Sequence, residues 1–389
     1  MAGNYILLPC EVKNMKFKPI PVPRKSTVLQ DDITETLYDY QINKVEMMVK
    51  DMQILNEESA VYHLPGHCPK CGAENPKWMK GGNANSGKPM IKCSECKRRI
   101  TVDYGQLTWY SHQDESQWNA VIADTFNDES LDKTAAEIDV HSDTVFRMRH
   151  KLLVFLGKTT DEDVLSAPSE LDETFFRESH KGLPVEYLPP RKRGEKTDKN
   201  GISDDLVCLT TGVERQGTAY VQAYNMGRPN SDEVEPLFKD HVNPGTYFWV
   251  DGERCFPPLF ERYHCDYYTI KSGTKPDQVN HLNNVNSLHD RIKDLYKHYR
   301  GVATVYINRY ANLFSLKQKY LGYDTQEIVL KVIKELRKHI QFFLIKDLKD
   351  THLFYDPAVM VYRNVLRFAM GHVPVKTDPP AVSRVPEFA

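Results

Sequence analysis

The sequence predicts an α/β protein in which a mixed-sheet domain, residues 165–320, follows a zinc ribbon and a helical helix-turn-helix unit. Two Cys-x-x-Cys pairs separated by 21 residues predict the ribbon, residues 63–108. Three short helical patterns predict the helix-turn-helix unit, residues 112–160. Five strand-like runs that alternate with helical patterns then indicate the α/β domain.

The length and composition fit a protein of several domains. A chain of 389 residues is too long for one ordinary core. We assign no role to residues 1–62, and we read residues 321–389 as a helical extension, strongest over Thr325–Lys338, with a tail. No run of about 18 apolar residues and no signal peptide are evident, so we expect a cytoplasmic protein without a membrane span.

Local charge is more informative than total charge. The net charge of -2 alone argues against a nucleic-acid-binding protein. However, His67–Gly105 holds eight Lys and Arg against three Asp and Glu, and Asp290–Lys338 holds eleven against five. Local basic faces are what bind phosphate, so nucleic acid remains a plausible partner.

The paired cysteines predict one structural Zn²⁺ site. The ligands are Cys68, Cys71, Cys93 and Cys96. Four thiolates complete a tetrahedral shell and leave no open position, so neighbouring His67 is not needed as a ligand. The alternative is four unrelated cysteines in a reducing compartment, which the regular spacing disfavours.

The helix-turn-helix pattern begins with Glu115–Phe126. A second helix over residues 132–138 and a turn at Asp139 precede a recognition helix with Ser142 as its N-cap. Its small core is predicted to be Ala135, Ile138, Val140, Val145 and Met148. The residues predicted to contact DNA are Ser142, Thr144, Arg147, Arg149 and Lys151. An ordinary helical hairpin with a solvated basic face is the alternative, and Asp139 stands where glycine is often found.

The strand-like runs lie at 170–175, 206–213, 218–225, 246–250 and 267–271. Between the first two runs lies a basic, Pro- and Gly-rich loop that contains Arg191, Lys192 and Arg193. This loop is either a solvated excursion or a phosphate-binding loop beside an active site.

Three oxygen-bearing side chains form a candidate phosphoryl-transfer site. Asp172 and Asp251 each end a strand-like run, and Asn286 lies on a later helix. Such a set can hold two Mg²⁺ ions, although a neutral Asn286 weakens binding and cannot act as a base. Lys293 lies seven residues further on the same helix face, where it can hold a phosphate. Glu173 is expected on the opposite side of the strand, so we leave it out.

Two interpretations of this set remain open from spacing alone. The residues are either metal ligands or surface and capping residues, because Asp251-Gly252 is also a common turn dipeptide. Asp290, four residues after Asn286, is a possible substitute ligand.

The motifs together resemble the ISXO-like group of bacterial insertion-sequence transposases. The matching stretches are L-D-E-T-F-F-R-E-S-H-K-G from residue 171, R-K-R-G from 191, G-I-S-D-D from 201, V-D-G from 250, H-L-N-N-V-N-S-L-H-D-R-I-K from 281 and G-V-A-T-V-Y-I-N-R-Y from 301. The resemblance covers roughly residues 67–314, including the zinc ribbon and the helix-turn-helix unit. One departure is Val305, where relatives often carry lysine.

The resemblance implies an RNase H-like catalytic core with an Asp-Asp-Asn triad followed by lysine, at Asp172, Asp251, Asn286 and Lys293. It implies a transposase that binds terminal inverted repeats of double-stranded DNA, cuts at 3′ ends and joins the 3′-OH to target DNA. Two Mg²⁺ or Mn²⁺ ions per site and a homodimer or larger assembly are expected. His281 and His289 fall on histidines of the motif without an assigned role. The alternatives are a catalytically inactive DNA-binding regulator and a nuclease that cannot join ends.

Overall fold

The computed structural model describes residues 50, 52–179, 201–203, 206–215, 217–271, 273 and 278–349. These residues form two compact units: one contains those up to Asp163 together with Ser315–Lys349, and the other contains those of Val164–Phe314. The basic-loop residues Arg191, Lys192 and Arg193 lie outside the described residues, as do most of residues 1–62 and residues 350–389. Among the described residues, no helix has the length and apolar character required to cross a membrane.

The first unit contains a small antiparallel sheet followed by helices. Its three strands lie in the order β1-β2-β3. The strands are β1 (Trp78–Asn83), β2 (Pro89–Cys93) and β3 (Arg99–Thr101). The helices are α1 (Glu115–Phe126), α2 (Leu131–Glu137), α3 (Ser142–Thr160) and, later in the chain, α8 (Thr325–Lys338). The predicted helix over Thr325–Lys338 is therefore confirmed with the same bounds.

The turn between α2 and α3 forms as the sequence predicts, but its capping residue differs. Asp139 has a φ of 53°, a left-handed conformation that Asp tolerates better than most residues. The N-cap of α3 is His141, whose imidazole accepts a hydrogen bond from the Asp143 amide. The prediction of Ser142 as N-cap is wrong, because Ser142 is already helical and its hydroxyl donates to Asp132 at 2.6 Å.

The second unit is a mixed α/β domain built on a five-stranded sheet in the order β6-β5-β4-β7-β8. The strands are β4 (Ser169–Arg177), β5 (Leu206–Glu214), β6 (Ala219–Met226), β7 (Tyr247–Val250) and β8 (Asp266–Thr269). All five predicted strands are present. β4 is antiparallel to β5 and parallel to β7, so it lies at the centre of a mixed sheet.

Helices α4 (Ser231–His241), α5 (Pro257–Arg262) and α6 (Asn283–His298) accompany this sheet, and α7 (Ile307–Lys319) follows. A continuous apolar core forms between the sheet and the first two of these helices. Its largest members, all with no measurable exposure, are Phe238, Phe248, Phe256, Phe260 and Leu237. Helix α6 packs on β4 and β5, and it is the element that brings further polar side chains to the central strand.

Candidate active site and cysteine cluster

The two predicted aspartates lie side by side where β7 ends next to β4. The last residue pair between these parallel strands is Leu171 with Val250. Asp172 and Asp251 each follow that pair directly, so they occupy the next position on neighbouring strands. β4 itself continues beyond Asp172 to Arg177, because β5 pairs with it along its whole length. Asp172 is therefore within a strand and only Asp251 is at a strand end.

Glu173 belongs to the same cluster, which corrects its exclusion on the basis of strand alternation. Asp172, Glu173 and Asp251 each place one carboxylate oxygen within 4.8 Å of the others. Alternation puts Asp172 and Glu173 on opposite faces of β4. Since β7 ends at Val250, the adjacent edge of β4 is open at this level, and side chains from both faces can approach Asp251 there.

Burial and mutual repulsion disfavour the charged forms of the carboxylates in this cluster. Burial, followed by the charge of Asp251, raises the pKa of Asp172 to about 7. Burial, followed by the charges of Asp172 and Asp251, raises the pKa of Glu173 to about 9. A divalent cation would relieve this repulsion, and carboxylate oxygens are ligands that Mg²⁺ prefers. The donor set therefore fits a Mg²⁺ or Mn²⁺ site.

The turn after β7 also uses Asp251. One oxygen of its carboxylate accepts a hydrogen bond from the Glu253 amide at 2.9 Å. The turn that the Asp-Gly dipeptide suggests is thus present, and its hydrogen bond holds the carboxylate of Asp251. Glu253 itself forms an ion pair with Arg228 at 3.3 Å.

Helix α6 brings a histidine to the cluster. The Nδ1 atom of buried His289 lies 3.7 Å from Asp172 Oδ2, which is a polar contact longer than a hydrogen bond. Burial, followed by the charge of Lys293, lowers the pKa of His289 to about 3, so the ring is neutral near pH 7. Its Nε2 atom has no hydrogen-bond partner among the described residues.

The other predicted residues of α6 lie near His289 on the helix. Lys293 is four residues further on, and its charge lowers the pKa of Asp172, against the larger effect of burial. Asn286 is exposed and lies three residues before His289, close to the same helix face. Asp290 is exposed as well. Among these α6 residues, His289 makes a polar contact with Asp172, at 3.7 Å.

The four predicted cysteines meet in the first unit. The sulfur atoms of Cys68, Cys71, Cys93 and Cys96 lie within 4.8 Å of one another. Cys68 and Cys96 are 3.8 Å apart at Sγ, and Cys71 and Cys93 are 4.0 Å apart. Four sulfurs at about 2.3 Å from a tetrahedral zinc ion would be about 3.8 Å apart. The cluster therefore fits a zinc ion. Four thiolate ligands would fill its tetrahedral coordination shell and leave no coordination position open.

The predicted DNA-facing side chains of α3 divide into two groups. Arg147 is exposed, and Ser142 and Thr144 are partly exposed. Arg149 and Lys151 are each only 2% exposed, so their prediction as surface DNA contacts is wrong. Arg149 donates to Glu129 O at 2.9 Å, and Lys151 donates to Trp109 O at 2.8 Å. Long apolar stems and backbone acceptors allow these cations to pack inside the helical unit.

Buried Lys151 makes a pH-dependent contribution to stability. Burial lowers the pKa of Lys151 to about 8 from 10.5, so between these values the unfolded chain binds more protons than the folded chain. Stability from this group therefore rises with pH across that window. We expect wild type to gain about 3 kcal/mol over Lys151→Met between pH 7.5 and pH 10.5 in urea unfolding.

Arg147→Met is the matched control for this prediction, because Arg147 is on the same helix but exposed. Its difference from wild type should stay constant over the same pH range. A constant difference for Lys151→Met as well would contradict the burial of Lys151.

Comparison with known proteins identifies the domain that carries the carboxylate cluster. Residues 164–318 match the family described as the ISXO2-like transposase domain. This match confirms the resemblance that the motifs indicate. A search of curated proteins gave no match to the chain.

Solved structures with weak similarity include three Mos1 assemblies. The pre-cleavage Mos1 transpososome is 10% identical, with a TM-score of 0.23, and the alignment covers 62% of this chain and 80% of that chain. The Mos1 paired-end complex with the left transposon end is 11% identical, with a TM-score of 0.23 and coverage of 62% and 80%. The Mos1 Strand Transfer Complex is 10% identical, with a TM-score of 0.23 and coverage of 62% and 79%. The similarity to ISXO2-like transposases therefore depends on the match over residues 164–318 alone.

Proposed function

We propose that this chain is the DNA transposase of an insertion sequence. In this proposal it binds the terminal inverted repeats of its element, hydrolyses the phosphodiester at the 3′ ends and transfers the 3′-OH into target DNA. The observation that carries the proposal is the carboxylate cluster of Asp172, Glu173 and Asp251 within an ISXO2-like transposase domain. The mixed sheet with β4 at its centre is consistent with an RNase H-like core.

The residues have separate roles in this reaction. Asp172 and Asp251 hold the divalent ions, with Asn286 as a neutral oxygen ligand and Glu173 as an additional carboxylate. When bound, two Mg²⁺ or Mn²⁺ ions supply an activated nucleophile and stabilise the leaving oxygen. Lys293 holds a DNA phosphate near the reacting bond as a point charge. His289, which is buried beside Asp172, fixes the position of that carboxylate.

DNA recognition is assigned to the first unit and to the basic loop. Cys68, Cys71, Cys93 and Cys96 hold one structural Zn²⁺. Ser142, Thr144 and Arg147 on α3 face the terminal repeats in a helix-turn-helix arrangement, and Arg191, Lys192 and Arg193 contact phosphates. A homodimer or larger assembly brings two ends together, because one active site cannot process both at once.

The role of Glu173 predicts a change in metal affinity that does not depend on catalysis. Glu173→Gln keeps the shape of the side chain but removes the carboxylate that can lose its proton and bind the cation, so Mn²⁺ affinity should fall at least about tenfold. Isothermal titration calorimetry with Mn²⁺ on the full chain measures this directly. Glu261→Gln on α5 is the matched control, since Glu261 is exposed and outside the cluster. Equal affinities for both variants would remove Glu173 from the ligand set.

A further inference from the structure

Helix α6 begins without a capping side chain of its own, and a carboxylate from β4 takes that place. The N-cap residue Leu282 makes no side-chain capping bond. Instead, Oε2 of Glu170 accepts hydrogen bonds from the backbone amides of Asn284 at 2.8 Å and Val285 at 3.0 Å. Oε1 of Glu170 also accepts from Asn284 Nδ2 at 2.8 Å. A carboxylate at a helix N-terminus satisfies free amides and favours the helix dipole.

The same carboxylate is held by groups that also fix the segment before α6. Arg215 Nε donates to Glu170 Oε1 at 3.1 Å, and its Nη2 atom donates to the carbonyls of Val279 and His281 at 2.7 and 3.2 Å. His281 Nδ1 lies 3.2 Å from Glu170 Oε1. The Arg215 guanidinium stacks on Trp249, 3.4 Å from the ring centroid. The side chain of Glu170 has no solvent exposure, so protein groups rather than water surround it, and Arg215 is its ion-pair partner.

This arrangement fixes α6 along β4 at two points. Glu170 meets the first turn of α6, and Asp172, two residues further along β4, meets His289. Two residues of a strand advance about 6.6 Å. The four to five residues from the first-turn amides to His289 advance about 6–7.5 Å along a helix. The two spacings agree, so the first contact determines which helix residue meets Asp172.

We propose that Glu170 is a positioning residue of the active site: it sets the register of α6 along β4 and thereby places Asn286, His289 and Lys293 at the carboxylate cluster. The proposal deepens the proposed function and rests on it for the chemistry, whereas the register itself is a property of the fold. Glu170 does not contact the reacting groups. It acts through the helix that carries them.

The matched pair of variants is Glu170→Gln and Glu214→Gln. Glu214 is also a buried carboxylate of this sheet, and it accepts from the Ser166 and Ala167 amides at 2.7 and 3.0 Å, away from α6. Hydrogen exchange followed by mass spectrometry tests the register contact without catalysis. Glu170→Gln should speed exchange in the first turn of α6 at least about tenfold, and Glu214→Gln should leave it unchanged. Unchanged exchange in Glu170→Gln would overturn the proposal.

A double-mutant cycle then tests the link to the active site. Lys293→Met should slow single-turnover cleavage of a repeat-end duplex at least about tenfold when introduced into wild type or into Glu214→Gln. In Glu170→Gln the same substitution should slow cleavage less than about threefold, because α6 is already displaced there. If Lys293→Met slowed cleavage by the same factor in all three backgrounds, Glu170 would not position the active site and the proposal would be overturned. A wild-type chain that does not cleave would overturn the proposed function instead, and the exchange result would still decide the register.

If Glu170→Gln does not fold, Asn284→Ala gives the same test from the helix side. It removes one hydrogen bond to Glu170 and leaves the buried charge paired with Arg215. We expect faster first-turn exchange and a reduced effect of Lys293→Met, both smaller than for Glu170→Gln. An Asn284→Ala chain with wild-type exchange and a full Lys293→Met effect would contradict the proposal.

Discussion

Asp251→Asn is expected to reduce cleavage and strand transfer by roughly a thousandfold or more. The substitution keeps the hydrogen bond from the Glu253 amide, so the turn after β7 remains. It removes one of the charges that attract divalent ions to the cluster with Asp172 and Glu173. The loss of metal-dependent stabilisation amounts to several kcal/mol, which corresponds to a rate effect of this size. Single-turnover kinetics on a labelled repeat-end duplex measure it.

Binding of the repeat ends should be unchanged in this variant, because Asp251 is not one of the proposed recognition residues. Asp266→Asn is the matched control: Asp266 is an exposed residue of the same sheet, at the start of β8. It should retain wild-type kinetics. Cleavage by Asp251→Asn at the wild-type rate would show that the carboxylate cluster is not the active site.

Loss of zinc is expected to unfold the cysteine-containing part of the first unit and to reduce repeat-end binding at least about a hundredfold. The reason is that Cys93 is fully buried within a four-cysteine cluster, and the regular structure that carries it is a small three-stranded sheet. Structural zinc contributes about 10–16 kcal/mol of apparent binding free energy in small zinc-dependent peptides, which is folding free energy for such a unit. Cys93→Ser should lose the metal, as measured by zinc content, and end binding, as measured by fluorescence anisotropy.

The second unit should be unaffected by this change, since it has its own apolar core. Cys265→Ser is the matched control, because Cys265 is a buried free thiol outside the cluster. It should retain one zinc per chain and wild-type end binding. A Cys93→Ser chain that binds ends as tightly as wild type would exclude a role for the ribbon in recognition.

The regular elements follow from local patterns, and for that reason the sequence predicts them well. Apolar alternation identifies all five strands of the second unit, and the helical periods identify α1, α2 and α8 within a residue of their bounds. The start of α3 is identified as well, but this helix continues to Thr160, four residues beyond the pattern. Cysteine spacing identifies the four-sulfur cluster, because the ligands of a small metal site come from two tight turns. The two aspartates are also local features, each adjacent to a run of buried strand residues.

The contacts that depend on tertiary packing do not follow from such patterns. The cations of Arg149 and Lys151 suggest a surface, yet backbone acceptors elsewhere in the fold bury both. Strand alternation excludes Glu173, because it carries no information on where the neighbouring strand ends. Glu170 is adjacent to the motif in sequence, but its partners lie 45 to 115 residues away. The motif histidines His281 and His289 are the part of this arrangement that the sequence indicates. Their contacts with Glu170 and Asp172 depend on the register of α6 along β4.

The most direct test of the transposase proposal is strand transfer by the purified full chain with DNA from the ends of its encoding element. Reactions contain Mg²⁺ or Mn²⁺, with EDTA and scrambled-end duplexes as controls. We expect covalent joining of the 3′ end to a second duplex, only with divalent metal, only with the native ends, and not by Asp251→Asn. Specific end binding without cleavage in either metal would contradict the proposal and indicate a DNA-binding regulator. Cleavage without joining would indicate a nuclease.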